Sequence, residues 1–229
     1  MQPYFFPYIG YFQLINAVDV FVFYDDANFI KKGYINRNYI LVDHKKHAIT
    51  VPCKAISQNK RIMDIDVKLD KRSISKVLKT IFQAYSKAPF FPVVYPILEN
   101  FFKQGDIDTI SNLAIKSVKL VCGYLDIQKK WVLSSNVQSH SSLLKGDQRI
   151  IQIAKNEKAS TYINPIGGKA LYSKQKFKLE GLQLQFIKSH DIKYLQFNDD
   201  FVPWLSIIDV LMFNSVDDIK SFLEQYELL

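Results

Sequence analysis

The chain has 229 residues, 48% of them hydrophobic, with 30 Lys and Arg against 22 Asp and Glu, for a net charge of +8. Its mean hydropathy of −0.05 suits a folded soluble protein, and no apolar run approaches the roughly 18 residues of a membrane span. The basic residues are scattered, which favours a cationic surface with a phosphate-binding site over a nucleic-acid surface.

Met1–Phe6 is apolar and aromatic and reads as a first strand, broken at Pro7 and Gly10 before a short helix over Tyr11–Ala17. Asp19–Tyr24 is a continuous β-branched and aromatic run, the pattern of a strand covered on both faces. Strand, glycine turn, helix and strand make a βαβ unit. Tyr39–Val42 and His47–Val51 read as a hairpin turning through Asp43–Lys46, and Ile62–Val67 as an alternating strand. Three helices are then expected. The first carries an apolar stripe from Ile74 to Tyr85 with Ser73 as N-cap; the others cover Val93–Lys103 and Ile107–Cys122.

Lys130–Ser134 reads as a strand, Asp147–Glu157 as a helix, Thr161–Asn164 as a strand and Gly168–Phe177 as a helix. Leu182–Lys188 is expected to pair with Tyr194–Phe197. Two last helices start at Ser206 and Ser215, each opening with a Ser-x-x-Asp capping pattern, to Asp209 and Asp218. The expected whole is a single α/β domain over residues 1–229: a Rossmann-like, mostly parallel sheet with flanking helices, a hairpin near residues 39–53 and a helical insert near residues 73–123 that could lie over the site.

Ligands of parallel α/β sheets bind beyond the carboxyl ends of strands. On that rule Gly10 gives backbone access after the first strand, and Asp25 and Asp26 end the second. Adjacent carboxylates there can bind an amine or hydroxyl, hold a metal, act as a base or cap a turn. Lys31, Lys32, Arg37 and Asn38, mixed with aromatic residues, suit a substrate with a charged group and a planar ring. Thr161–Lys169 runs from strand through Gly167 and Gly168 to Lys169, a bend suited to phosphate or carboxylate without P-loop spacing. Gly146-Asp147-Gln148-Arg149 can add an Asp and an Arg from another helix start. Asp209 either caps its helix or faces the crevice.

The two cysteines lack metal spacing and the four histidines are scattered, so no metal site is expected. Cys122 falls on an apolar helix face and reads as a buried thiol; Cys53, after a strand, stands as a weak nucleophile candidate. The histidines form no triad with a Ser or Cys and read as surface or hairpin residues.

MQPYFFPYIGYFQLINAVDVFVFYDDANFIKKGYINRN resembles the N-terminal signature of the WbqC-like family, and GDQRIIQIAKNEKASTYINPIGGKALY and LSIIDVLMFNS resemble its later blocks. Members carry a few apolar residues before the first motif, so a shortened first strand is expected. The resemblance implies a cytoplasmic enzyme of surface-glycan clusters (O-antigen, lipopolysaccharide), with a suggested glycine transferase role toward an amino sugar at the sugar-nucleotide stage. Other glycan-assembly enzymes are then possible partners.

Such a reaction needs a recognised amine, a base and a donor for the acyl oxyanion. On this resemblance Asp25, Asp26 and Asp209 are catalytic candidates. Gln2, Tyr4, Gly10, Tyr11, Lys31, Lys32, Arg37, Asn38, Gly167, Gly168 and Lys169 are substrate-binding candidates. No certain cofactor is implied; a nucleotide or nucleotide-sugar is the expected substrate. Gly10–Ile15 and the DDANF turn are similar to the opening of pantothenate synthetase, though Tyr11 replaces the nucleotide-binding His of that fold. An ATP-using ligase or nucleotidyltransferase, and a non-catalytic binding protein of a glycan-assembly complex, therefore stand as alternatives.

Overall fold

The computed structural model describes residues 1–104, 107–137, 144, 146–198 and 200–229. Met1 lies beside the second strand: its N–H donates to Val22 O at 2.8 Å and its carbonyl accepts from Tyr24 N at 2.7 Å, the pattern of parallel neighbours. The arm pairs no further, so the strand expected over Met1–Phe6 is not formed. Pro3 and Pro7 have no N–H to give, and Phe6 adopts φ 39°. Instead Phe5 and Phe6 turn inward against Phe101 and Phe102.

Helix α1 (Ile9–Asn16) leads to β1 (Val20–Phe23). The hairpin forms from β2 (Arg37–Val42) and β3 (Lys45–Thr50). Asp43 and His44 both take positive φ, as a tight two-residue turn requires. Ile62–Val67 is not a strand. It holds a 3-10 turn over Ile62–Asp64, closed by Arg61 donating to Asp64 at 2.6 and 2.9 Å. Its backbone serves the tip of β1, with Ile62 N donating to Ala27 O and Met63 N to Asp25 O.

Helices α2 (Lys71–Tyr85), α3 (Phe91–Lys103) and α4 (Ile110–Tyr124) follow. Asp70, not Ser73, caps α2: the carboxylate accepts from Ser73 N at 2.7 Å. The three helices share the main apolar core with the N-terminal arm, and α4 contributes Cys122 to it.

Strand β4 (Lys130–Leu133) pairs parallel with β1, Phe23 opposite Leu133. Helix α5 (Gly146–Asn156) precedes β5 (Thr161–Pro165), a 3-10 stretch over Ile166–Leu171 and helix α6 (Lys174–Leu179). The single helix expected over Gly168–Phe177 is thus divided, because Tyr172 and Ser173 are extended.

Strand β6 (Gln183–Ser189) runs parallel to β5 and antiparallel to β7 (Tyr226–Leu228). Tyr194–Phe197 does not pair with it. Tyr194 and Gln196 turn their side chains to Asp209, and the C-terminal strand takes the place beside β6. Helices α7 (Ile207–Phe213) and α8 (Val216–Leu223) close the chain.

The protein is therefore a mixed α/β structure. Among the described residues its strands form three small sheets, β1–β4, β2–β3 and β5–β6–β7, rather than the one mostly parallel sheet expected. A second, smaller apolar cluster gathers Ile151, Phe177, Leu184 and Phe186 between α5, α6 and β5–β6. No described helix is long and apolar enough to cross a membrane.

Candidate functional site

The polar residues concentrate where β1 and β4 end. Asp25, 3% exposed, accepts Ser135 N at 3.0 Å and Ser134 Oγ at 3.1 Å on one oxygen, and Ser135 Oγ at 2.7 Å on the other. Asp26 accepts Ser134 Oγ at 2.5 Å and pairs with Arg149 from the first turn of α5. Parallel pairing explains the meeting: β1 and β4 finish at the same level, so the residues that follow them face each other. The Arg149 guanidinium also lies 5.0 Å from the centre of the Tyr24 ring, a cation–π contact. Its Nε–H is buried and has no acceptor among the described residues. An unpaired buried donor is costly.

The Pro165–Lys169 bend follows β5. Tyr162 Oη donates to Asn164 Oδ1 at 3.1 Å, and Asn164 Nδ2 donates to Pro165 O at 3.1 Å. A Cβ at Gly168 would displace the Asn164 amide. Lys169 is exposed on the bend. The Tyr162 and Tyr172 rings pack 5.9 Å apart, and Tyr24 lies under Arg149. Burial raises all three phenols, and Tyr172 adds to the rise at Tyr24 and Tyr162. Asp147, at the start of α5, is held below its usual value by Lys176 of α6 at 2.7 Å. Arg149 thus meets the tip of β1 at both Asp26 and Tyr24, while Tyr172 packs on Tyr162 of β5.

A second cluster lies on the N-terminal arm. Tyr4 packs on Tyr11 and Tyr34, with ring centres 5.7 and 5.9 Å away, and Tyr8 packs on Trp204 at 5.8 Å. Gly10 sits inside α1, not in a loop that a ligand approaches. A Cβ there would strike the Tyr8 ring and meet Ser189 Oγ at 2.8 Å, so this glycine makes room for Tyr8. Arg37 donates to Lys32 O at 2.5 Å and Gly33 O at 3.2 Å, which fixes the loop carrying Tyr34; Lys31 and Lys32 are exposed on it.

Three expected site residues are enclosed instead. Tyr11 is buried and donates to Gln2 O at 2.8 Å, which also commits that carbonyl. Asn38, 1% exposed, donates to Phe5 O at 3.1 Å and Phe6 O at 2.7 Å and holds the turn of the arm. Asp209, 0% exposed, neither lines the crevice nor caps α7. It accepts Tyr85 Oη at 2.7 Å, Tyr194 Oη at 2.6 Å and Gln196 Nε2 at 2.8 Å. Burial raises its pKa and these three donors oppose the rise. A core lock is its role in this fold.

Cys53 is half-buried, and burial pushes its thiol up to about 12, which removes it as a nucleophile near neutral pH. His44, His47 and His190 are exposed; His140 lies outside the described residues. Among the described residues no group of three or more His, Cys, Asp or Glu converges as a metal site would require. Ser134 and Ser135 carried no sequence signal beyond the end of a strand, and Tyr24 read as part of an apolar run.

A model of the WbqC-like protein family matches residues 2–221. An uncharacterized protein of Mycobacterium tuberculosis, Rv1507c, is 24% identical over 215 residues, spanning 92% of this chain and 90% of that protein. No solved structure matches. The match covers the arm, both strand tips and the glycine bend alike: this chain belongs to the WbqC-like protein family.

Proposed function

We propose that this protein is a group transferase of surface-glycan biosynthesis that takes a nucleotide-linked sugar, with glycyl or aminoacyl transfer to an amino sugar as the reaction. The observation that carries this reading is Arg149. It is paired to Asp26 through one amino group and left with a buried Nε–H that lacks an acceptor among the described residues; Lys169 is exposed on its bend. A diphosphate offers an acceptor of the required charge and geometry. A nucleotide-binding platform of the Rossmann kind, as in pantothenate synthetase, is the fold reading that goes with it. Its support is that Met1, β1 and β4 run parallel and place their polar groups at their carboxyl ends.

In this reading Asp26, less enclosed than Asp25, takes the proton from the attacking amine. The amine nitrogen bonds to the acyl carbon, the acyl donor's leaving group departs, and Asp26 receives the proton. Asp25 holds Ser134 and Ser135 in place and does not touch substrate. The test is thermal stability of the full chain against a panel of uridine and thymidine diphosphate sugars, with ATP and magnesium as the contrast. A rise with a nucleotide-sugar that Lys169→Ala abolishes supports the reading. A rise with ATP and magnesium alone replaces it with a ligase or nucleotidyltransferase, and no rise with any nucleotide removes it.

A further inference from the structure

The three tyrosines of the N-terminal arm and loop differ from the other aromatic residues of the core. Tyr4 and Tyr8 are half-buried and Tyr34 is 46% exposed. None of their hydroxyls finds a hydrogen-bond partner among the described residues. The Tyr4 and Tyr34 rings lie 5.9 Å apart at 53°. Burial raises the phenols of Tyr4 and Tyr8, with Tyr8 and then Tyr34 adding to the rise at Tyr4 and Tyr34 to that at Tyr8. A phenol hydroxyl can both donate and accept.

Trp204 adjoins them, 5.8 Å from Tyr8 and tilted by 56°. It is 62% exposed and has φ 60°, a conformation that costs a bulky residue about 1 kcal/mol or more. Nothing in the core needs a tryptophan held outward in that way. Gly10 and Ser189 complete the surroundings of Tyr8 at the start of α1 and the end of β6.

We infer that Tyr4, Tyr8, Tyr34 and Trp204 form a binding site for the pyranose ring of a sugar. The occupant follows from the chemistry. A pyranose presents one apolar C–H face, which the exposed indole can cover, and a rim of neutral hydroxyls, which three unpartnered phenols can match. A nucleobase would call for parallel rings to sandwich it, and these rings are tilted. A free phosphate would call for cations converging on it; on the loop that carries Tyr34, Arg37 holds Lys32 O and Gly33 O, and Lys31 and Lys32 are exposed. The inference deepens the transferase reading and rests on it for biological meaning.

Saturation-transfer NMR on the full chain tests it, with a panel of methyl hexosides and methyl N-acetylhexosaminides, adenosine and uridine diphosphate as probes. Transfer to the ring protons of one or more glycosides is expected. Trp204→Ala should weaken it about tenfold and Tyr34→Phe less, both sites being exposed enough to leave the thermal midpoint nearly unchanged. Silence from every glycoside overturns the inference, as does glycoside transfer that Trp204→Ala and Tyr8→Ala leave intact, or adenosine binding alone. Uridine diphosphate separates the two readings. If it binds through Lys169 while no glycoside does, the pyranose site fails and the nucleotide site stands; glycoside binding without nucleotide binding is the reverse.

Discussion

Asp26 and Arg149 are separated by 123 residues and pair at the end of β1, each almost enclosed by the other's surroundings. The ion pair fastens α5 to the first parallel strands, and Arg149 Nε–H is left without an acceptor among the described residues.

Arg149→Ala should lower stability by about 3 kcal/mol, since it leaves the Asp26 carboxylate nearly buried without its counter-charge. Urea denaturation measures this. The double variant Arg149→Ala, Asp26→Asn should recover part of the loss but none of the nucleotide binding.

Asn38→Ala should cost about 2 kcal/mol by removing the donor to the Phe5 and Phe6 carbonyls; Phe6 O retains only the Ser206 hydroxyl, at 2.7 Å. The measurement is again chemical denaturation. Asn38→Asp should be no milder, because a carboxylate offers those carbonyls no donor.

Asp209 makes stability depend on pH with a definite sign. Its folded pKa is raised by burial, so the folded state holds a proton more tightly than the unfolded chain. Its contribution is full below the ordinary value of 3.8 and is lost as pH rises through the elevated folded value. Denaturation midpoints across that window should show a fall with rising pH that Asp209→Asn removes.

Both thiols should resist modification in the folded protein. Burial pushes Cys53 and Cys122 up to about 12, leaving a thiolate fraction on the order of 10⁻⁴ at pH 8. A chromogenic disulfide reagent should report two thiols only after denaturation. Rapid labelling of Cys53 in the native protein would return it to the list of nucleophiles.

Gly10→Ala should displace the Tyr8 ring while the rest of α1 stays formed. Altered fluorescence of Trp204, read in a Trp131→Phe background, is the expected signal. Unchanged emission would mean that the ring has room elsewhere.

The sequence showed the helices and strands best where burial has a regular period. The stripe of α2 and the apolar run of β1 were legible because one face, or two, must leave water. The pattern failed where side chains serve distant partners. Ser206 and Ser215 open identical Ser-x-x-Asp patterns, yet only Ser215 and Asp218 make the reciprocal box. Asp209 instead crosses to Tyr85 on α2, and the Ser206 hydroxyl donates to Phe6 O. Ile62–Val67 alternated like a strand, but two of its N–H groups serve the residues after β1, two close its own 3-10 turn and Val67 N donates to Asp108 O.

By itself, the order of residues determined the α/β class, the hairpin, the position of most helices and the family, because each is written in local periodicity or in contiguous motifs. Tertiary structure alone decided that Asp26 meets Arg149, that Asn38 and Asp209 are locks within the core, and that Tyr8 packs on an outward tryptophan. Those relationships join residues tens to hundreds of positions apart. Only the packing of the whole chain fixes which of them come within hydrogen-bonding reach.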